Sequence, residues 1–122
     1  MTKKVLIVED ERDIAKILKT RLEAEGFLVD IVAGGLSALD YLKEKTAPDI
    51  IVLDLVLPDR SGIELLGSFH NAWPDTKIFI FTAHSEYKEK PYCFEKYMGG
   101  FFCKPDGMNK LIREIKKISK KN

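Results

Sequence analysis

The sequence feature that most constrains the fold is an uninterrupted apolar run that ends on a carboxylate. Residues 50–53 are all aliphatic, three of them β-branched, and Asp54 follows directly. Such a run is typical of a strand that is buried on both faces of a parallel sheet. Pro58 and Gly62 then predict a turn before the next helix. We therefore expect Asp54 at the carboxyl end of a central strand, where open α/β sheets bind their ligands.

Strand-like and helix-like stretches alternate along the whole chain. This alternation favours an α/β fold in which helices cover both faces of a parallel sheet. The apolar runs predict five strands, at 4–8, 28–32, 50–53, 77–82 and 101–103. Apolar residues at helical spacing predict helices that contain Ile14 to Leu22, Leu36 to Leu42, Ile63 to Phe69 and Met108 to Ile118. The segment from His84 to Met98 gives no clear helix, because Pro91 interrupts it.

Length and composition indicate one globular domain, predicted to span 1–122. The formal net charge of +1 gives no support for general attraction to nucleic acid or to a membrane surface. No apolar run approaches the length of a membrane span, and the N-terminal run is too short for a signal peptide. Cys93 and Cys103 form no CxxC pair and are interpreted as packing residues. These features favour a cytoplasmic protein without a disulfide.

Polar residues stand at the ends of four of the five predicted strands. They are Glu9 with Asp10, Asp54, Thr82 and Lys104. Because the carboxyl ends of parallel strands meet at one edge of the sheet, we expect these side chains in one site. Neighbouring carboxylates repel each other and favour a hard cation such as Mg²⁺, while a lysine and a hydroxyl can bond phosphoryl oxygens. The combination predicts phosphoryl transfer onto Asp54, although Asp54 alone could equally be a turn or capping carboxylate.

With these motifs in this order, the chain resembles the receiver domain of two-component response regulators over essentially its whole length. The resemblance rests on Glu9-Asp10, Asp54, Thr82-Ala83 and Lys104-Pro105. It implies a three-layer, flavodoxin-like (βα)5 fold, with a five-stranded parallel sheet in the order 2-1-3-4-5 and five helices on its two faces. It also implies a signalling switch, which catalyses only its own phosphorylation and dephosphorylation.

The resemblance further implies a role for each acidic residue. Asp54 would accept a phosphoryl group from a phosphohistidine of a sensor histidine kinase or phosphotransfer protein. Mg²⁺ would be held by Asp10, Asp54 and the backbone carbonyl of Val56. Glu9, which stands where the family more often has Asp, would assist through water.

The same resemblance implies how phosphorylation is sensed. Lys104 and Thr82 would bond the phosphoryl oxygens, and Thr82 would move toward the phosphate. Phe101 would rotate into the vacated space. The surface that changes would be the face formed by the fourth helix, the fifth strand and the fifth helix.

The sequence does not specify how such a switch would pass its signal on. Pro91, Tyr97 and Met98 depart from the family's usual pattern around the fourth helix. One alternative is therefore a receiver-like module that docks a partner without being phosphorylated. Another is an aspartate-nucleophile phosphatase, which normally has a second Asp where this chain has Val56.

The expected partners are a histidine kinase or phosphotransfer protein and a downstream output domain or effector protein. We expect no direct nucleic-acid binding and no membrane association by this domain. A monomer or a weak, phosphorylation-dependent dimer is expected. The chain is interpreted either as a stand-alone receiver or as a part of a longer regulator.

Overall fold

The architecture is a three-layer α/β fold. It was obtained as a computed structural model, which describes residues 2–44, 46–84, 98–104 and 106–120. The strands are β1 (Lys4–Val8), β2 (Leu28–Val32), β3 (Ile50–Leu53), β4 (Lys77–Thr82) and β5 (Met98–Cys103). The helices within the described ranges are α1 (Arg12–Ala24), α2 (Gly35–Glu44), α3 (Gly62–Ala72) and α4 (Met108–Lys120). In this part of the chain, every helix is too short or too polar to cross a membrane.

The sheet is parallel throughout, and its strand order is β2-β1-β3-β4-β5. The α/β fold and the order implied by the family resemblance are thus confirmed. In the sheet, β2 lies on one side of β1, and β3, β4 and β5 follow in sequence order on the other side. The topological switch point therefore lies between β1 and β3, whose last residues, Val8 and Leu53, are paired in the register.

Helices cover both faces because successive residues of each strand point to opposite sides. Val5 and Ile7 lie in one buried cluster with apolar residues of α1 and α4. Leu6 and Val8 lie in a second buried cluster with apolar residues of α2 and α3. Burial on both sides accounts for strands in which nearly every residue is apolar.

The buried face of helix α1 is narrower than its apolar periodicity predicted. Ala15, Leu18 and Leu22 are buried, at the spacing of three to four residues that places side chains on one helix face. Ile17, which was predicted as part of the same periodic set, is 49% exposed. Ile17 precedes the buried Leu18, and consecutive residues are rotated by about 100° around a helix. Both side chains therefore cannot point to the centre of the same buried face.

Strand β5 begins at Met98, whereas the sequence predicted a start at Phe101. The glycine pair before Phe101 concealed the start of the strand, since glycine is uncommon in strand interiors. Ile78 pairs with Met98 and Phe79 pairs with Gly100, so Gly99 is an extra residue at a bulge.

The fourth of the five helices implied by the resemblance falls on residues 85–97. These residues, with the departures from the family pattern at Pro91 and Tyr97, lie outside the described residues, whereas Met98, which was expected around this helix, is the first residue of β5. Pro105 lies outside them as well. The helix predicted last in the chain, which contains Met108 to Ile118, is observed as α4.

Candidate functional site

Main-chain pairing brings Glu9 and Asp54 together at the carboxyl edge of the sheet. The amide of Glu9 donates a hydrogen bond to the Val32 carbonyl oxygen, and the amide of Asp54 donates to that of Val8, both at 3.1 Å. The main-chain hydrogen bonding of β1 and of β3 therefore extends one residue beyond the end of each strand. Glu9 is 3% exposed and Asp54 is 5% exposed, so two carboxylates are buried side by side. Such an arrangement requires a positive partner.

The positive partner is Lys104, which follows β5. Its Nζ lies 2.6 Å from Glu9 Oε1, 2.8 Å from Glu11 Oε2 and 3.0 Å from Asp54 Oδ2. The backbone amide of Lys104 donates to the Thr82 carbonyl oxygen at 2.9 Å, which ties this residue to the end of β4. An ammonium group has three N–H donors, so these carboxylates occupy all of them.

The pKa values of Glu9 and Lys104 are both shifted from their usual values. Burial raises the pKa of the Glu9 carboxyl to about 7, although hydrogen bonds from the Lys104 side chain and the Glu11 amide act to lower it. Burial acts to lower the pKa of Lys104, but the hydrogen bonds to Glu11, Glu9 and Asp54 outweigh it and raise the pKa above its usual value. The ammonium is therefore charged at neutral pH.

Three of the carboxylates at this edge could share one metal ion. Among the described residues, a ligand oxygen from each of Glu9, Glu11 and Asp54 lies within 4.8 Å of the others. Asp10, which the family resemblance named as a ligand, is exposed and is not part of this group. Glu11 was not predicted as a site residue. The available signal was its place at the N-cap of α1, two residues beyond Glu9.

The two oxygens of Asp54 have different partners. Oδ2 accepts from Lys104, and Oδ1 accepts from the amide of Val56 at 3.1 Å. The loop after β3 also folds back on itself, and the amide of Gly62 donates to the Leu55 carbonyl oxygen at 2.9 Å. A Cβ atom on Gly62 would lie 2.4 Å from the Cα atom of Leu55 and 2.5 Å from the Asp54 carbonyl oxygen. Gly62 is therefore the residue that permits this loop geometry.

Thr82 lies on β4, the strand next to β3, and Phe101 lies on β5, one strand further out. Thr82 is fully buried at the end of β4, and its Oγ1 accepts from the amide of His84 at 3.3 Å. Phe101, in β5, is partly buried against the cluster that contains α2 and α3.

Comparison with known sequences identifies the family of this site. The family model of the response regulator receiver domain matches residues 5–116. The chain is similar to the transcriptional regulatory protein KdpE of Mycobacterium tuberculosis, with 29% identity over 97% of this chain and 51% of KdpE. It is 34% identical to the transcriptional regulatory protein CreB of Escherichia coli, over 94% of this chain and 53% of CreB. The chain thus spans about half the length of these relatives.

Solved structures agree with this assignment. A CheY-like receiver domain protein from Methanospirillum hungatei superposes with a TM-score of 0.86 and 27% identity, covering 96% of this chain and 93% of the other. The response regulator TrrA of Thermotoga maritima, solved in complex with Mg²⁺ and BeF, gives a TM-score of 0.83 and 29% identity, covering 95% and 98% of the two chains. The sequence match over 5–116 and the shared sheet order lead to one conclusion. This chain belongs to the response regulator receiver domain family of two-component systems.

Proposed function

We propose that this domain accepts a phosphoryl group on Asp54 from a phosphohistidine of a partner kinase or phosphotransfer protein, and that it acts as a switch. The observation that carries the proposal is the placement of Asp54. Its carboxylate lies at the topological switch point of the sheet, with Oδ2 at 3.0 Å from the Lys104 ammonium.

In the proposed reaction, a carboxylate oxygen of Asp54 attacks phosphorus while the bond from phosphorus to the histidine nitrogen breaks. The product is an acyl phosphate. Lys104 stays protonated and neutralises charge on the phosphoryl oxygens, which is the main task of a protein in phosphoryl transfer. The Val56 amide holds Oδ1 and thereby fixes the orientation of the carboxylate.

The donor set at this edge fits Mg²⁺. Carboxylate and carbonyl oxygens are hard ligands, and the proposed holders of the ion are Asp10, Asp54 and the Val56 carbonyl, with Glu9 assisting. Asp10 follows directly on the buried Glu9 and is exposed, so its carboxylate is accessible to an ion from solution. When bound, Mg²⁺ supplies positive charge next to the phosphoryl oxygens.

The proposed response runs through Thr82 and Phe101. The Thr82 hydroxyl, whose Oγ1 accepts from the His84 amide, would donate its own hydrogen to a phosphoryl oxygen. Phe101, which is only partly buried, would then repack. The affected surface would include β5 and α4, together with residues 85–97, and an added dianion is sufficient to bias such a two-state element.

The test is intact mass spectrometry after incubation with Mg²⁺ and acetyl phosphate. We expect a gain of one phosphoryl group that requires Mg²⁺ and is absent in Asp54→Asn. Asp75→Asn, which removes an exposed carboxylate in the turn before β4, should be modified like the wild type. A folded wild type that gains no mass, under conditions where dephosphorylation is slow, would support the unphosphorylated docking module instead.

The remaining proposals concern the cellular setting. Residues 1–122 would form a single receiver domain that works in the cytoplasm. Because the KdpE and CreB chains are about twice as long, an output domain or a separate effector protein would receive the signal. A monomer, or a weak dimer after phosphorylation, is the proposed assembly.

A further inference from the structure

The Lys104 ammonium holds three carboxylates that differ greatly in exposure. The side chains of Glu9 and Asp54 are 3% and 7% exposed, whereas that of Glu11 is 57% exposed. All three N–H donors of the ammonium are in use. When Asp54 is modified, its acyl oxygen carries no charge, so the donor that is bonded to Oδ2 becomes available to a phosphoryl oxygen. For the other two donors, Glu9 and Glu11 compete with the phosphoryl group.

We propose that Glu11 is a positioning residue that holds Lys104 while Asp54 is unmodified and releases it when a phosphoryl group binds. This inference rests on the proposed function. Glu11 is the partner that can be released most easily, because water can replace the ammonium at an exposed carboxylate. Releasing Glu9 instead would leave a buried carboxylate unpaired, at a much larger cost in free energy.

The backbone at Glu11 supports this role. Glu11 is the N-cap residue of α1, its amide donates to Glu9 Oε2 at 3.1 Å, and its carbonyl oxygen accepts from the Ala15 amide at 3.0 Å. The main chain is thus fixed, while the side chain extends over the site toward Lys104. The carboxylate can turn away into solvent without any change in the helix.

It follows that Glu11 competes with the phosphoryl group for Lys104. In Glu11→Gln the side chain keeps its shape and loses its charge, so Lys104 is held less strongly before the ligand arrives. At saturating Mg²⁺, we expect trifluoroberyllate to bind about two- to fivefold more tightly, because the Glu11 carboxylate is largely exposed and its pairing with Lys104 is screened by water. The affinity is measured by ¹⁹F NMR titration or by calorimetry.

A matched control separates this effect from a general loss of negative charge. Asp13 is an exposed carboxylate in the first turn of α1, so Asp13→Asn removes the same charge close by. We expect its trifluoroberyllate affinity to stay at the wild-type value. In a Lys104→Met background, Glu11→Gln should no longer increase the affinity, because the residue that it positions is missing. An increase that persists in that background contradicts the proposal.

Glu11 could instead act as a metal ligand, because it belongs to the carboxylate group with Glu9 and Asp54. Mg²⁺ affinity, titrated without trifluoroberyllate, distinguishes the two roles. Loss of a ligand would weaken Mg²⁺ binding by about tenfold or more and would weaken trifluoroberyllate binding with it. That pair of results overturns the positioning role.

The same titrations separate failure of the inference from failure of the proposed function. A wild type that binds no trifluoroberyllate in the presence of Mg²⁺ removes the basis of both. A wild type that binds it, with Glu11→Gln equal in affinity, contradicts the Glu11 proposal alone.

Discussion

Lys104 is the residue on which the burial of the strand-end carboxylates depends. Its side chain is 5% exposed, and its ammonium lies within 3.0 Å of Glu9, Glu11 and Asp54. Buried charges are tolerated when they are paired and hydrogen-bonded, and they are costly when one partner is removed. The Lys104 ammonium therefore contacts two of the carboxylates, Glu9 and Asp54, that are also proposed to take part in binding Mg²⁺.

The first prediction concerns the loss of that cation. Lys104→Met should lower the free energy of unfolding at pH 7 by about 3 kcal/mol, the lower end of the cost of breaking a buried pair. The lower end is expected because Glu9, with a pKa of about 7, can take up a proton. Mg²⁺ should restore part of the loss, because it neutralises the same carboxylates. The measurement is urea denaturation with and without Mg²⁺.

Lys117→Met is the matched control for this experiment. Lys117 Nζ lies 2.8 Å from Glu114 Oε2, but both side chains are largely exposed. Exposed pairs of this kind contribute less than about 1 kcal/mol. Equal stability of the two variants would mean that Lys104 does not compensate the buried carboxylates.

At the scale of elements, Asp59 joins the loop after β3 to the start of α2. Its Oδ1 accepts from the Gly35 amide at 2.7 Å, and its Oδ2 accepts from the Leu36 amide at 3.0 Å. These amides belong to the first turn of α2, where N–H groups lack partners within the helix. The loop that carries the Val56 amide to Asp54 is thereby fixed to a second element.

The second prediction follows from the charge of Asp59. The Leu36 and Gly35 amides hold the pKa of this carboxyl below its usual value of 3.8. A lowered pKa in the folded state gives stability that is present above the unfolded-state pKa and is lost as pH falls through the folded-state pKa. Urea denaturation should therefore show wild type more stable than Asp59→Asn at pH 7, with the difference shrinking below pH 3.8. A difference that does not depend on pH would contradict the assignment.

The third prediction concerns the bulge in β5. A Cβ atom on Gly99 would lie 2.5 Å from the Phe79 ring. Gly99→Ala should therefore destabilise the protein by about 1–3 kcal/mol, as overpacking does. Gly67 in α3 has no atom within 4 Å of the corresponding position, so Gly67→Ala should stabilise by about 0.5–1 kcal/mol. Thermal denaturation of both variants measures the contrast, and a neutral Gly99→Ala would argue against this close packing.

At the scale of the whole molecule, one sheet separates two cores. Helices α1 and α4 enclose one core, and α2 and α3 enclose the other. The central strand β3 contributes residues to both cores and is buried along its whole length. The edge strand β2 is less protected, because Leu28 and Ile31 are exposed.

The fourth prediction is a gradient of stability across the sheet. Backbone amides of β3 should exchange with solvent only through global unfolding, because β3 is paired on both sides and covered on both faces. Amides of β2 should exchange faster, through local opening at the edge. Hydrogen exchange followed by NMR measures both rates, and equal protection of β2 and β3 would contradict the gradient.

The sequence by itself determined the elements and the edge at which the site lies. The bounds of β1, β2, β3 and β4 agree with the apolar runs that predicted them. Burial on both faces requires apolar residues in β1, β3 and β4, whereas in the edge strand β2 only Val29 is buried. The carboxyl ends of parallel strands share one edge, so the convergence of Asp54 and Lys104 also follows from local patterns.

Only the tertiary structure decided which side chains contact each other. The hydrogen bond from Lys104 to Glu11 joins residues far apart in the chain, and so does the bond from the Gly35 amide to Asp59. The start of β5 at Met98 likewise depends on pairing with β4. Periodicity indicates which face of an element is buried, but a contact between distant residues depends on how the helices and loops pack across the sheet.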